Sequence, residues 1–139
     1  LDEELKLVKD YLNLEKIRLE ERLDFDIEFT KQCLYFQIPP MIIQTLVENA
    51  IKHGVSQLIK GGFVNIECRV IQDNLIVRIL NSGQYKPQKT MQIDKLESSG
   101  FGLENSIQRL ELIFSGEANL TISNQDKNTV LTVVKIPKI

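Results

Sequence analysis

A chain of 139 residues is one ordinary domain, long enough to bury a real core. Hydrophobic residues at 42% and charged residues at 26% are globular values, and a net charge of −2 removes any electrostatic case for nucleic acid. No apolar run approaches the ~20 residues of a membrane span, and no signal peptide is visible.

The first element is an amphipathic helix over residues 1–23, with Leu5, Val8, Leu12 and Leu19 at helical spacing. Leu5, Leu12 and Leu19 also form a short heptad series, so the helix either packs on its own domain or ends a dimerisation stem. The chain begins at Leu1 already in this pattern and is expected to be a piece of something longer. Phe25, Ile27 and Phe29 alternate in a short strand over Asp24–Phe29.

Residues 39–54 read as a second helix, with Pro39-Pro40 expected to pre-set its first turn and Gly54 to stop it. At about 100° per residue, Ile43, Leu46, Val47, Ala50 and Ile51 share an apolar side. Gln44, Thr45, Glu48, Asn49 and Lys52 fill a dense polar side. A loop over Ser56–Gly62 leads to a strand in which Val64, Ile66, Cys68 and Val70 alternate with polar residues. Cys33 and Cys68 lack metal-ligand or CxxC spacing and are expected to be reduced, Cys68 in the core. After a turn at Gln72-Asp73-Asn74, Leu75, Val77 and Ile79 share one face of the next strand. Period two places Asn81 on that same inward face, where an amide needs a hydrogen-bond partner. Residues 84–99 are polar and aperiodic, a loop long enough to suggest a role. Gly100-Phe101-Gly102 opens a helix with Leu103, Ile107, Leu110 and Phe114 at helical spacing, closed by Gly116. Leu120–Ser123 and Thr129–Ile136 form a final hairpin. This order favours an α+β fold, with an antiparallel or mixed sheet and helices on one face.

Three segments carry chemistry. Asn49 can give an amide oxygen to Mg²⁺, and Lys52, one turn on, is a point charge suited to phosphate. Alternatively Asn49 caps a loop and Lys52 is solvated. His53, the chain's one histidine, is a ligand or simply an edge residue. Asn81-Ser82-Gly83 can hold adenine, the amide bonding to its edge and Gly83 allowing close backbone approach, or it is only a turn. Gly100 and Gly102 leave helix-start N–H groups free for an anion. Together they outline a nucleotide site without a P-loop.

Pro39-Pro40, Gln44 and Leu46-Val47-Glu48-Asn49-Ala50-Ile51-Lys52-His53-Gly54 resemble the N box of LytS-like sensor histidine kinases, within the GHKL superfamily. Gly100-Phe101-Gly102-Leu103-Glu104-Asn105 with Arg109-Leu110 is similar to the G2 box. Glu4-Leu5, Tyr11-Leu12, Arg18 and Arg22-Leu23 are similar to the preceding linker helix. The resemblance implies a two-layer α/β sandwich with a roughly five-stranded mixed sheet. It also implies a linker over 1–23, an ATP-binding domain over 24–139, and a lid at about 84–99. The implied nucleotide-binding residues are Asn49, Lys52, His53, Asn81, Gly83, Gly100, Gly102 and Leu103, with Asn49 also on Mg²⁺.

Two departures qualify that assignment. The family's G1 box usually begins with Asp and has a second Gly, whereas this chain has Asn81-Ser82-Gly83-Gln84-Tyr85, which predicts weaker nucleotide binding. The phosphoacceptor His is expected upstream of residue 1, and His53 is not it. Thr45 stands where related ATPases have a water-activating Glu, four residues before the Asn, which disfavours ATP hydrolysis. Glu48 points about 100° away from Asn49 and either orients Lys52 or is solvated. The expected function is therefore the ATP- and Mg²⁺-binding catalytic domain of a bacterial inner-membrane sensor kinase, on its cytoplasmic side. Its expected partners are its own dimerisation and phosphoacceptor domain, in a homodimer, and a response regulator. A degenerate nucleotide or scaffold module and an unrelated interaction domain are the alternatives.

Overall fold

The computed structural model of the protein describes residues 1–84 and 100–138. Five strands form one mixed sheet in the order β1-β2-β3-β5-β4. They are β1 (Leu23–Phe29), β2 (Gly62–Ile71), β3 (Asn74–Ser82), β4 (Asn119–Asn124) and β5 (Thr129–Pro137). Among the described residues only the β1–β2 pair is parallel. Helix α1 (Asp2–Arg18) precedes β1, α2 (Lys31–Leu34) and α3 (Ile42–His53) lie between β1 and β2, and α4 (Gly100–Phe114) lies between β3 and β4, with short 3-10 turns at Glu20–Arg22 and Val55–Gln57. The expected α+β arrangement and strand count hold, and α2 is an element the sequence reading did not anticipate.

Alternation sets the inward face of the sheet. Register stacks Val64, Asn81 and Val130 in one row, Ile66, Ile79 and Thr132 in the next, then Cys68, Val77 and Val134. All nine are buried, while Asn65, Arg69, Arg78 and Lys135 of the opposite face are exposed. Gln72 and Asp73 both take positive φ, 50° and 65°, as a two-residue hairpin turn between β2 and β3 requires.

Ile42, Ile43, Leu46, Val47, Ala50 and Ile51 of α3 join one core cluster with these strands. Each fully buried large aliphatic side chain contributes about 1.5–3 kcal/mol. Leu5, Val8 and Leu12 of α1 enter the same cluster, as do Leu110 and Phe114 of α4. Both cysteines are free and buried. Burial, with Cys33 nearby, pushes the Cys68 thiol up to about 12, so it is protonated at neutral pH.

Candidate functional site

The start of α3 differs from expectation. Pro39 and Pro40 precede the helix, which begins at Ile42 after Met41 in the left-handed conformation, φ 71°. Met41 supplies no side-chain cap. The cap comes from α1: the Glu4 carboxylate accepts from the N–H groups of Met41 at 2.7 Å, Ile43 at 2.5 Å and Gln44 at 3.3 Å. No local pattern could reveal this, because the partners are 37–40 residues apart in sequence.

The polar side of α3 divides in two. Gln44 is buried and donates to Glu48 at 3.2 Å, so Glu48 neither pairs with Lys52 nor stands free. The Tyr11 hydroxyl of α1 is held well above its usual range by burial, then by the carboxylates of Glu15 and Glu48. This part of α3 therefore faces α1. Thr45 instead lines a groove of about 400 Å³ shared with Asn105, Ser106, Gln108, Arg109 and Leu112 of α4. Asn49 follows Thr45 by one turn and is half-buried; Lys52 is exposed. Neither side chain has a hydrogen-bond or ion-pair partner among the described residues. An amide and an ammonium so placed are available to an outside ligand. His53 ends α3 and is exposed; partial desolvation, then the neighbouring Lys52 charge, lower its affinity for a proton.

The C-terminal end of α3 meets β3. A Cβ on Gly54 would lie 2.4 Å from Asn81 Nδ2, 2.5 Å from the Ala50 carbonyl oxygen and 2.7 Å from that of Ser82. Gly54 is thus required for close approach, with φ −113° outside the left-handed region. Gly83, φ 129°, needs both its conformational freedom and its lack of a side chain: a Cβ there would sit 2.7 Å from Gly54 Cα. Asn81 is 3% exposed, and its Nδ2 donates to the Ser82 carbonyl at 2.9 Å. That bond gives the inward amide one partner and fixes its orientation, with Oδ1 as the acceptor. The Ser82 hydroxyl accepts from Phe63 N–H at 3.0 Å, and Gly83 N–H donates to the Asn128 carbonyl at 2.9 Å. The structure therefore brings Asn81 and Gly83 against the end of the helix that carries Asn49, Lys52 and His53.

Gly100, Gly102 and Leu103 occupy the first turn of α4; the Leu103 side chain, and all of the lid expected at about 84–99 except Gln84, lie outside the described residues. Arg109 Nη2 donates to the Pro40 carbonyl at 2.5 Å, tying α4 to the segment that enters α3. Among the described side chains of α4, Ser106, Leu110 and Phe114 are buried, whereas Ile107, at helical spacing with Leu110 and Phe114, is 38% exposed. No cluster of three or more His, Cys, Asp or Glu side chains among the described residues could hold a metal by itself.

No family model matches the chain. It is 30% identical over 137 residues to the sensor protein LytS of Staphylococcus saprophyticus, covering 93% of this chain and 23% of that protein. It is 30% identical over 138 residues to the sensor histidine kinase BtsS of Escherichia coli, covering 99% of this chain and 23% of that protein. The chain thus spans about a quarter of the length of these relatives. The catalytic domain of the histidine kinase ThkA superposes with a TM-score of 0.69 at 18% identity, covering 98% of this chain and 92% of that one. ThkA in complex with the response regulator protein TrrA superposes with a TM-score of 0.66 at 18% identity, covering 100% of this chain and 40% of that one. By sequence the chain is a homologue of the sensor protein LytS and the sensor histidine kinase BtsS over about a quarter of their length, and it shares the fold of the catalytic domain of the histidine kinase ThkA.

Proposed function

We propose that this chain is the ATP-binding catalytic domain of a sensor histidine kinase, delivering the γ-phosphoryl group of ATP to a histidine outside it. The observation that carries the reading is α3, whose Asn49 and Lys52 side chains have no described partner and whose end packs on Asn81-Ser82-Gly83. In this reading Lys52 pairs with phosphate oxygens, and Asn81 Oδ1 accepts from the adenine amine while Nδ2 stays on the Ser82 carbonyl. Gly83 lets the base approach backbone, and Gly100, Gly102 and Leu103 begin α4 with N–H groups available to phosphate. His53 borders the site and is not the phosphoacceptor.

The donor set fits a shared metal. One amide oxygen, with no acidic cluster among the described residues, suits Mg²⁺ that keeps waters and takes its other ligands from phosphates. Asn49 would hold it, and the ion would supply neutralisation of phosphate charge. Transfer breaks the bond between the γ-phosphorus and its bridging oxygen and forms one to an imidazole nitrogen; ADP leaves. The imidazole brings its own lone pair, so positioning and charge neutralisation suffice. Thr45, which offers no general base, accords with transfer to histidine over hydrolysis.

The same reading divides the chain into a linker helix over 1–23 and a nucleotide domain over 24–139. It places the domain on the cytoplasmic side of a membrane-anchored homodimer that phosphorylates a response regulator. Titration calorimetry tests it. Wild type is expected to bind Mg-ATP, and Asn49→Ala to weaken binding about ten-fold or more with Mg²⁺ present but little without it. Equal affinity in both proteins would remove Asn49 from the metal. Absence of binding in wild type, restored by Asn81→Asp, would favour a module whose altered Asn81 segment has lost function.

A further inference from the structure

Residues 40–44 are a junction of three helices, and nothing in the nucleotide chemistry accounts for its most buried charge. Glu4 is 8% exposed. A carboxylate removed from water is costly unless its oxygens are hydrogen-bonded. Both oxygens are: Oε1 accepts from Met41 N–H, and Oε2 from Ile43 and Gln44 N–H. These are the donors that a helix leaves unsatisfied at its start, where the helix dipole also favours negative charge. Met41, left-handed and without a polar side chain, cannot cap them itself. The first intrahelical bond of α3 runs from Thr45 N–H to the Met41 carbonyl at 3.0 Å, immediately inside the Glu4 contacts.

Tyr11 of α1 feels the charge of Glu48 of α3. Glu4 thus meets residues 41–44, and the Glu48 charge reaches Tyr11, so α1 lies alongside α3. Asn49 and Lys52 sit within the next turn of α3. From the other side, Arg109 of α4 holds the Pro40 carbonyl.

We infer that Glu4 is a positioning residue of the nucleotide site: it locks the start of α3 to α1, so that a shift or rotation of α1 is transmitted to Asn49 and Lys52. The functional half of this inference rests on the nucleotide reading above; the mechanical half does not. Hydrogen exchange of the ligand-free protein, paired with Mg-ATP calorimetry, tests both on wild type, Glu4→Ala, Glu4→Gln and Leu12→Val. Glu4→Ala is expected to speed exchange at residues 43–46 about ten-fold or more relative to β3 amides, and to weaken Mg-ATP binding several-fold. Glu4→Gln, which keeps acceptor oxygen but no charge, should fall between. Leu12→Val, a core change in the same helix, should shift α3 and β3 exchange together and leave affinity near wild type.

If Glu4→Ala moves residues 43–46 only in step with β3, the tether is overturned. If exchange responds but affinity is unchanged, Glu4 is structural and its positioning role is overturned. If exchange responds and wild type binds no Mg-ATP, the tether stands and the nucleotide reading falls.

Discussion

Gly54 and Asn81 are the tightest pair in the molecule's candidate site, and their contact is purely steric. Any side chain at residue 54 would press on Asn81 Nδ2 and on two backbone carbonyls at once. Gly54→Ala is expected to cost about 1–3 kcal/mol, because backbone must shift, and urea unfolding would measure it. A loss below about half a kcal/mol would mean the two segments sit further apart. His53 gives a pH signature at the same end of α3. Its folded-state pKa lies below the ordinary 6.5. As pH falls through 6.5, the unfolded chain takes up the proton first, so stability decreases there and is unaffected at higher pH. The chain has one histidine, so a single imidazole resonance reports the titration directly. A midpoint above 6.5 would contradict the desolvated setting. Asn81 was legible in the sequence as an inward polar residue, since strand period two needs no partner to be read. Its bond to Ser82 was not, because that depends on the backbone leaving β3.

At the scale of elements, α1 decides how the helical layer is held. Its heptad of Leu5, Leu12 and Leu19 suggested either a stem or a packed helix, and all three are buried within this domain. Leu7, Leu14 and Ile17 lie on the exposed side. Leu12→Ala, at 0% exposure, is expected to destabilise by about 2–5 kcal/mol. Leu14→Ala, at 66% exposure, should stay within about 0.5 kcal/mol. Denaturant midpoints of the two variants make the comparison; similar losses would show that α1 does not pack as described. The apolar stripe of α3 was readable because a helical period survives any tertiary setting. Its N-terminus was misread because Pro39-Pro40 is a general helix-start signal, while the actual cap is a carboxylate from a distant helix. On α4, Leu110 and Phe114 of the spaced apolar set are buried and Ile107 is not. Ser106, Leu110 and Phe114 turn inward and Ile107 lies at the rim, a choice made by what the helix packs against.

For the whole molecule, five strands and their helices converge on one core with the candidate site at one end of α3. Strand identities and the final hairpin followed from alternation and turn residues, and the N-box segment carried the resemblance that homologues and neighbouring folds then matched. Strand order did not follow: β5 lies between β3 and β4, and β1 runs parallel to β2 across two intervening helices. The sequence by itself determined which residues alternate inward, which helix carries Asn49 and Lys52, and that Asn81 would be buried. These are periodic or covalent properties of short segments. Only the tertiary structure decided that Gly54 meets Asn81, that Gln44 and Glu48 turn to α1, and that Glu4 caps α3. Each depends on groups brought within hydrogen-bond or van der Waals distance by burial of a shared core, and no spacing along the chain encodes that.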